Sequence, residues 1–132
     1  MKKKSLSPKE LKKSIGHAWE GLNDMLKTEH MAALHAGMTL LVLGVCWWIQ
    51  LDLARFCLII IAIAAVWVVE CFNTVIEIIT DHVSPQYSPT AKRAKDISAG
   101  AVLIACFGAA LIGLIILGPP LAEKLGVLLE SR

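Results

Sequence analysis

The stretch ECFNTVIEIITD, residues 70–81, decides the fold because it continues an unbroken apolar run over residues 56–69. Neither Pro nor Gly interrupts the combined segment, so the pattern predicts a single long helix. Four carboxylate and amide side chains of the stretch recur at i, i+3, i+7 and i+11, within roughly 80° of one another on one helix face. This polar stripe consists of Glu70, Asn73, Glu77 and Asp81.

Ionisable groups at the end of a membrane-length segment are expensive to place there, and they favour a functional interpretation. The alternative is a helix end that emerges into water, where acidic residues are common. The apolar run directly before Glu70 favours the functional interpretation.

The composition predicts a small integral membrane protein of the all-α class. Of 132 residues, 56% are hydrophobic and 18% are charged, and a soluble domain of this length could not bury so much apolar surface. The basic start is followed by polar residues, so no secretory signal is expected. A net charge of +2 is too balanced to indicate a nucleic-acid partner. The four cysteines are scattered without C-x-x-C spacing, which favours free thiols over a metal or redox site.

The hydropathy pattern divides this single membrane domain, residues 1–132, into a surface helix and three spans. After a basic tail over 1–6, residues 7–28 predict an amphipathic helix in the membrane interface, started by a capping box at Ser7 and Glu10. A helix of a soluble core is the alternative, but too little polar chain remains to form that core. The spans and connections are predicted at 31–51, 56–81, 82–90 (a loop), 91–118 and 119–132 (a tail).

Two features of the third span concern its packing and its end. Small residues recur every four positions from Ala101 to Gly113, a spacing that lets another helix approach closely. Pro119 and Pro120 are expected to end the helix.

The distribution of basic residues predicts the orientation in the membrane. Lysines precede the first span and Lys92, Arg93 and Lys95 precede the third, whereas the turn after the first span holds only Arg55. The positive-inside rule therefore places the N-terminus and the 82–96 loop in the cytoplasm and the C-terminus outside. The polar stripe then lies at the cytoplasmic interface.

The residue types near that interface suit phosphoryl transfer. Carboxylates with open positions for water suit Mg²⁺ that carries nucleotide phosphates, and a lysine neutralises a γ-phosphate. Glu70 lies about two turns deeper than Glu77, where it could accept a proton from an alcohol held by its lipid tail. A small oligomeric cation channel without ATP turnover, or a proton-coupled carrier, is the alternative. The apolar outer halves of the spans argue against a path for ions, and one chain supplies few walls, so an oligomer is expected.

A longer pattern resembles the signature of the bacterial diacylglycerol kinase and undecaprenol kinase family. It reads Glu70-x-x-Asn73-Thr74-x-Ile76-Glu77-x-x-x-Asp81 and then Ala94-Lys95-Asp96-x-x-Ala99-Gly100-Ala101-Val102. Trp19-x-Gly21-Leu22, Glu29 and the three-span layout extend the resemblance over nearly the whole chain. The resemblance implies a homotrimer of the bacterial cytoplasmic membrane that transfers the ATP γ-phosphate to a lipid alcohol, with a site shared between subunits.

The resemblance also implies roles for individual residues. Glu70 matches the catalytic base, and Glu29 and Glu77 match the pair that holds Mg²⁺ with ATP. Lys95 and Asp96 match the contacts to the nucleotide phosphates. Contacts to the lipid are implied for Glu70, Asn73, Trp19 and Ala99. Asp81 matches an acid of less certain role.

The chain departs from the family pattern at the nucleotide side. The loop that usually offers an acid and a histidine reads Gln86-Tyr87-Ser88, and His17 stands at an aromatic position near the nucleotide. A basic group near the site is replaced by His35, which is expected to stabilise the start of its helix. The run over 99–102, Gly113 and the proline pair favour undecaprenol over diacylglycerol, although an apolar groove separates lipid tails only weakly.

Overall fold

The computed structural model describes residues 7–130 as four α-helices in chain order. They are α1 (Pro8–Thr28), α2 (His30–Ile49), α3 (Leu53–Val83) and α4 (Pro89–Glu130). The last three are long and apolar enough to cross a membrane, which confirms the prediction of an all-helical protein with three helices able to span a membrane. The predicted basic tail over 1–6 lies outside the described residues.

The predicted capping box fixes the start of α1. The Ser7 hydroxyl accepts a hydrogen bond from the Glu10 backbone N–H, and the Glu10 carboxylate accepts one from the Ser7 N–H, both at 3.2 Å. The helix ends at Thr28, and Glu29 is its C-cap as well as the N-cap of α2. Its extended backbone (φ −104°, ψ 116°) redirects the chain within one residue. Glu29 is thereby held at the junction of two helices.

The turn between α2 and α3 is tight and capped on both sides. Gln50 adopts the left-handed conformation (φ 54°) and donates its N–H to the carbonyls of Cys46 and Trp47. Asp52 caps α3, because its carboxylate accepts a hydrogen bond from the Arg55 N–H at 3.1 Å. The second long helix therefore begins three residues before its predicted start at 56, at a cap signal that the sequence already carries.

Helices α3 and α4 form the main packing interface of the chain. The linker between them covers only residues 84–88, so the predicted loop over 82–90 was too long at both ends. Buried side chains of the two helices recur at three- and four-residue spacing, as expected for facing helical stripes. They are Ile59, Ala62, Val66, Glu70 and Thr74 on α3, and Ser98 and Val102 on α4.

The expectation that Pro119 and Pro120 end the third span was wrong. Helix α4 continues through both prolines to Glu130. Each proline removes a bond from the helical ladder, but Gly118 carries no Cβ to clash with the first proline ring. Membrane helices tolerate such prolines when the freed carbonyls find other partners.

One side-chain hydrogen bond links α2 to α3 within the spans. The Trp67 indole Nε1–H donates to the Thr39 hydroxyl at 3.0 Å. Both residues are half-buried, and hydrocarbon offers the indole no replacement partner. This contact therefore fixes the position of α2 against the helix that carries the polar stripe.

We predict that Thr39→Val destabilises the protein by about 0.6–2 kcal/mol, because the indole loses its acceptor without a large change in volume. Reversible unfolding in mixed detergent micelles measures this loss. Thr80→Val is the matched control, since the Thr80 hydroxyl bonds only to carbonyls of its own helix among the described residues. An equal loss in both variants would contradict a role for the bond between helices.

Candidate active site

Glu70 lies at the centre of a cluster of ionisable side chains. Its side chain on α3 is only 4% exposed, and its Oε2 lies 3.7 Å from Nε2 of His35 on α2. Glu29 and Glu77 are also close enough to interact with it electrostatically. The structure therefore brings together three carboxylates that the sequence assigned to a site. Glu29 comes from the junction of α1 and α2, and Glu70 and Glu77 come from different turns of α3.

Asn73 connects the deep and shallow parts of the polar stripe. Its Nδ2 donates to Glu77 Oε1 at 3.1 Å, one helical turn further along α3. Its Oδ1 is buried and has no hydrogen-bond partner among the described residues. A buried acceptor without a partner costs free energy, and a donor from a bound ligand would satisfy it.

A pocket of about 280 Å³ opens beside these residues. One part of its lining is polar and carries the stripe, and the other part is apolar. The lining residues are Met31, Glu70, Asn73, Glu77, Ala99, Val102, Leu103 and Cys106. A ligand with a hydroxyl at the end of an apolar chain matches this division.

A larger cavity of about 490 Å³ lies between the end of α2 and the start of α3, and its lining includes no carboxylate. Its lining is mainly apolar, and it includes Trp47 and Phe56. We therefore assign the site to the smaller pocket.

Lys95 of α4 lies at the shallow end of the polar stripe. Its Nζ donates to both carboxylate oxygens of Asp81, at 2.8 and 3.0 Å, and it also interacts electrostatically with Glu77. Asp96 pairs instead with Lys92 at 2.5 Å. The two residues expected to contact nucleotide phosphates are thus at the accessible rim, each already held by a neighbour.

Other predicted site residues lie apart from this cluster. Gln86 and Tyr87 are exposed on the linker, and the Ser88 hydroxyl accepts a bond from the Ala91 N–H at the start of α4. On α1, His17 pairs with Glu20 at 3.4 Å and Trp19 is exposed. No hydrogen bond or ion pair in the described part of the chain joins these five residues to Glu70, and their nucleotide and lipid contacts stay predictions.

The oxygen-rich site fits Mg²⁺ only if other ligands complete the coordination. No group of three His, Cys, Asp or Glu side chains among residues 7–130 could hold a metal ion by itself. Glu29 and Glu77 supply two carboxylates near Glu70. Mg²⁺ commonly binds to one or two carboxylates together with waters and substrate phosphates, so the two residues fit an ion that arrives with a nucleotide.

Sequence reasoning missed the contact of His35 with Glu70. It assigned His35 to the start of a helix, whereas the structure places the ring against the buried carboxylate. The partners are on different helices, so no spacing along the chain relates them. The one available signal was the rule that an ionisable residue within a span requires a partner.

The fold and the site fit one class of protein, a membrane-embedded kinase that acts on lipid. The chain belongs to the prokaryotic diacylglycerol kinase family, whose model matches residues 16–117. This membership confirms the resemblance found in the sequence and favours the lipid kinase over the cation channel.

The similar proteins of known function are named either undecaprenol kinase or diacylglycerol kinase. The chain is 33% identical over 109 residues to an undecaprenol kinase of Bacillus subtilis (strain 168), covering 83% of this chain and 89% of the relative. It is 30% identical over 105 residues to a diacylglycerol kinase of Escherichia coli (strain K12), covering 80% and 86%. The protein is thus a lipid kinase of the undecaprenol or diacylglycerol kinase type.

We predict that the contact between Asp81 and Lys95 contributes less than about 1 kcal/mol to stability. The two side chains are 67% and 34% exposed, so water and salt screen their attraction. A double-mutant cycle with Asp81→Asn and Lys95→Gln measures the coupling energy, which should fall further at high salt.

The control cycle combines Asp81→Asn with Lys92→Gln, because Lys92 pairs with Asp96 instead. Its coupling energy should be near zero. A coupling of several kcal/mol between Asp81 and Lys95 would show that the lysine is locked and not free to leave for a phosphate.

Proposed function

We propose that this protein uses ATP and Mg²⁺ to phosphorylate a membrane lipid alcohol, with undecaprenol preferred over diacylglycerol. The observation that carries the proposal is the position of Glu70, a buried carboxylate in a pocket whose lining is partly acidic and partly apolar. A membrane alcohol reaches such a pocket with its tail along the apolar side and its hydroxyl at the carboxylate.

Glu70 is the general base in this proposal. A carboxylate at the deep end of the pocket accepts the proton of the lipid hydroxyl as the oxygen attacks phosphorus. Val102 and Leu103 offer apolar contacts to the lipid tail on the α4 side. The open acceptor of Asn73 lies in the same pocket and is available to a donor other than the reacting hydroxyl, whose proton goes to Glu70.

The phosphate end of the reaction lies at the shallow side of the stripe. Glu77 and Glu29 would hold Mg²⁺, which neutralises phosphate charge when it is bound. Asn73 fixes the Glu77 carboxylate through the bond described above. Lys95 leaves Asp81 to contact the γ-phosphate, a small loss because that ion pair is exposed, and Asp96 is the second predicted contact.

The proposed reaction takes place at the cytoplasmic face of the inner membrane, in a homotrimer. Lys92, Arg93 and Lys95 all follow the 84–88 linker, which supports a cytoplasmic position for that end under the positive-inside rule. Helix α1 exposes Ile15 and Trp19 and would rest on the membrane surface near the lipid. The exposed rim around Lys95 supports a site that a neighbouring subunit completes.

The choice of lipid rests on sequence features and on one relative's name. The undecaprenol kinase of Bacillus subtilis is 33% identical to this chain and the diacylglycerol kinase of Escherichia coli is 30% identical. The run over 99–102 favours the undecaprenol branch, and Ala99 and Val102 line the pocket. Small side chains there widen the approach for a bulky prenyl tail.

We predict that the purified protein in mixed micelles consumes ATP when supplied with either lipid, with a higher kcat/KM for undecaprenol. Parallel assays with each lipid alone measure both values, and a mock reaction without lipid is the control. No turnover with either lipid in the presence of Mg²⁺ would contradict the proposed function. A higher kcat/KM for diacylglycerol would overturn only the lipid preference.

We predict different kinetic defects for Glu70→Gln and Glu77→Gln. The first removes the base and should lower kcat by a factor on the order of 10²–10⁴ at saturating Mg²⁺. The second removes a metal ligand and should raise the Mg²⁺ concentration needed for half-maximal rate. Glu123→Gln, an exposed position near the end of α4, is the matched control. An unchanged Mg²⁺ titration in Glu77→Gln would remove Glu77 from the metal site.

A further inference from the structure

His35 is placed to act on Glu70 from a second helix. The two side chains approach within 3.7 Å, and they are 11% and 4% exposed. No other basic side chain among residues 7–130 lies within ion-pair distance of Glu70. The His35 imidazole is therefore the basic group nearest to the Glu70 carboxylate among the described residues.

The His35 nitrogen that faces Glu70 makes no hydrogen bond to the described residues. Nε2 of His35 is buried and has no hydrogen-bond partner in the part of the chain that the structure describes. In the tautomer with its proton on Nδ1, Nε2 carries a lone pair and accepts a proton. A buried nitrogen without a partner is rare in native proteins and requires an explanation.

The proposed reaction leaves a proton on Glu70, and the carboxylate must lose it before the next turnover. Because Glu70 is almost completely buried, bulk water does not reach it directly. Its other ionisable neighbours are Glu29 and Glu77, which are assigned to Mg²⁺, and the thiols of Cys71 and Cys106. His35 is the neighbour with both the contact and the chemistry to take the proton.

We propose that His35 is a positioning residue that lies against the Glu70 carboxylate and receives its proton after each transfer. This inference rests on the proposed role of Glu70 as base. The lipid oxygen bonds to the γ-phosphorus while the bond from phosphorus to the leaving nucleoside diphosphate breaks, and the hydroxyl proton moves to Glu70. That proton then passes to Nε2 of His35, and the imidazolium releases the Nε2 proton to solvent as the product leaves, which restores the lone pair on Nε2.

The test compares His35→Gln and His35→Ala with wild type in the lipid kinase assay. Glutamine retains polarity and much of the volume but accepts no proton, so kcat should fall about 10- to 100-fold while KM for both substrates stays unchanged. His35→Ala should show a similar loss, and added imidazole should restore much of its kcat. Pyrazole has nearly the same size but is a much weaker base, and it should restore little.

His30→Gln is the matched control, because His30 is an exposed histidine at the start of the same helix, and its kcat should remain at the wild-type value. Wild-type kcat in His35→Gln would overturn the inference, and so would a loss that imidazole and pyrazole restore equally, since that would indicate packing. Thermal unfolding of each variant excludes a folding defect.

Glu70→Gln is assayed alongside. If this variant is active, the proposed role of Glu70 as base is refuted. If it is inactive while His35→Gln is active, only the role of His35 is refuted.

Discussion

The burial of a single carboxylate, Glu70, within an apolar helix is the constraint on which the rest of the structure depends. Ionised groups leave water at a high free-energy cost unless they are paired. The imidazole of His35 on α2 lies 3.7 Å from the carboxylate and offsets part of this cost when the ring is protonated, whereas the acids at the shallow end of the stripe add to it. The helices satisfy the backbone polar groups within the apolar segments. The polar side chains Glu70, Asn73 and Glu77 line one pocket.

The antiparallel pairing of α3 with α4 then sets the geometry of the site. The short linker brings Lys95 opposite Asp81. Eleven residues back along α3 from Asp81 is Glu70, and eleven residues forward along α4 from Lys95 is Cys106, which shares a pocket with Glu70. The alignment of α3 against α4 therefore positions both ends of the site, at Glu70 and at Lys95. The offset of seven positions from Glu70 to Glu77 separates the proposed base from the proposed metal ligand by about 10 Å along the helix axis.

The spans and the polar stripe could be predicted from the sequence, because both depend on periodicity and hydropathy along one segment. The capping box at Ser7 is equally local, and it was predicted correctly. The partnership of His35 with Glu70 could not be predicted, since it depends on how α2 packs against α3. The stop predicted at Pro119 was wrong because α4 continues through both prolines, and Gly118 removes one of the steric conflicts, the one between the first proline ring and a preceding Cβ.

The proposed trimer would complete only the exposed end of the site, the end at Lys95 and Asp96. Glu70 is already buried within a single chain, so the proposed base needs no second subunit for its burial. Lys95 and Asp96 remain at an accessible rim, where phosphates would otherwise stay hydrated and weakly held. Exposed apolar side chains on the spans do not by themselves drive association, because lipid covers them as well as protein does. The incomplete walls around the phosphate end are therefore the stronger physical argument that neighbouring subunits contribute to the site.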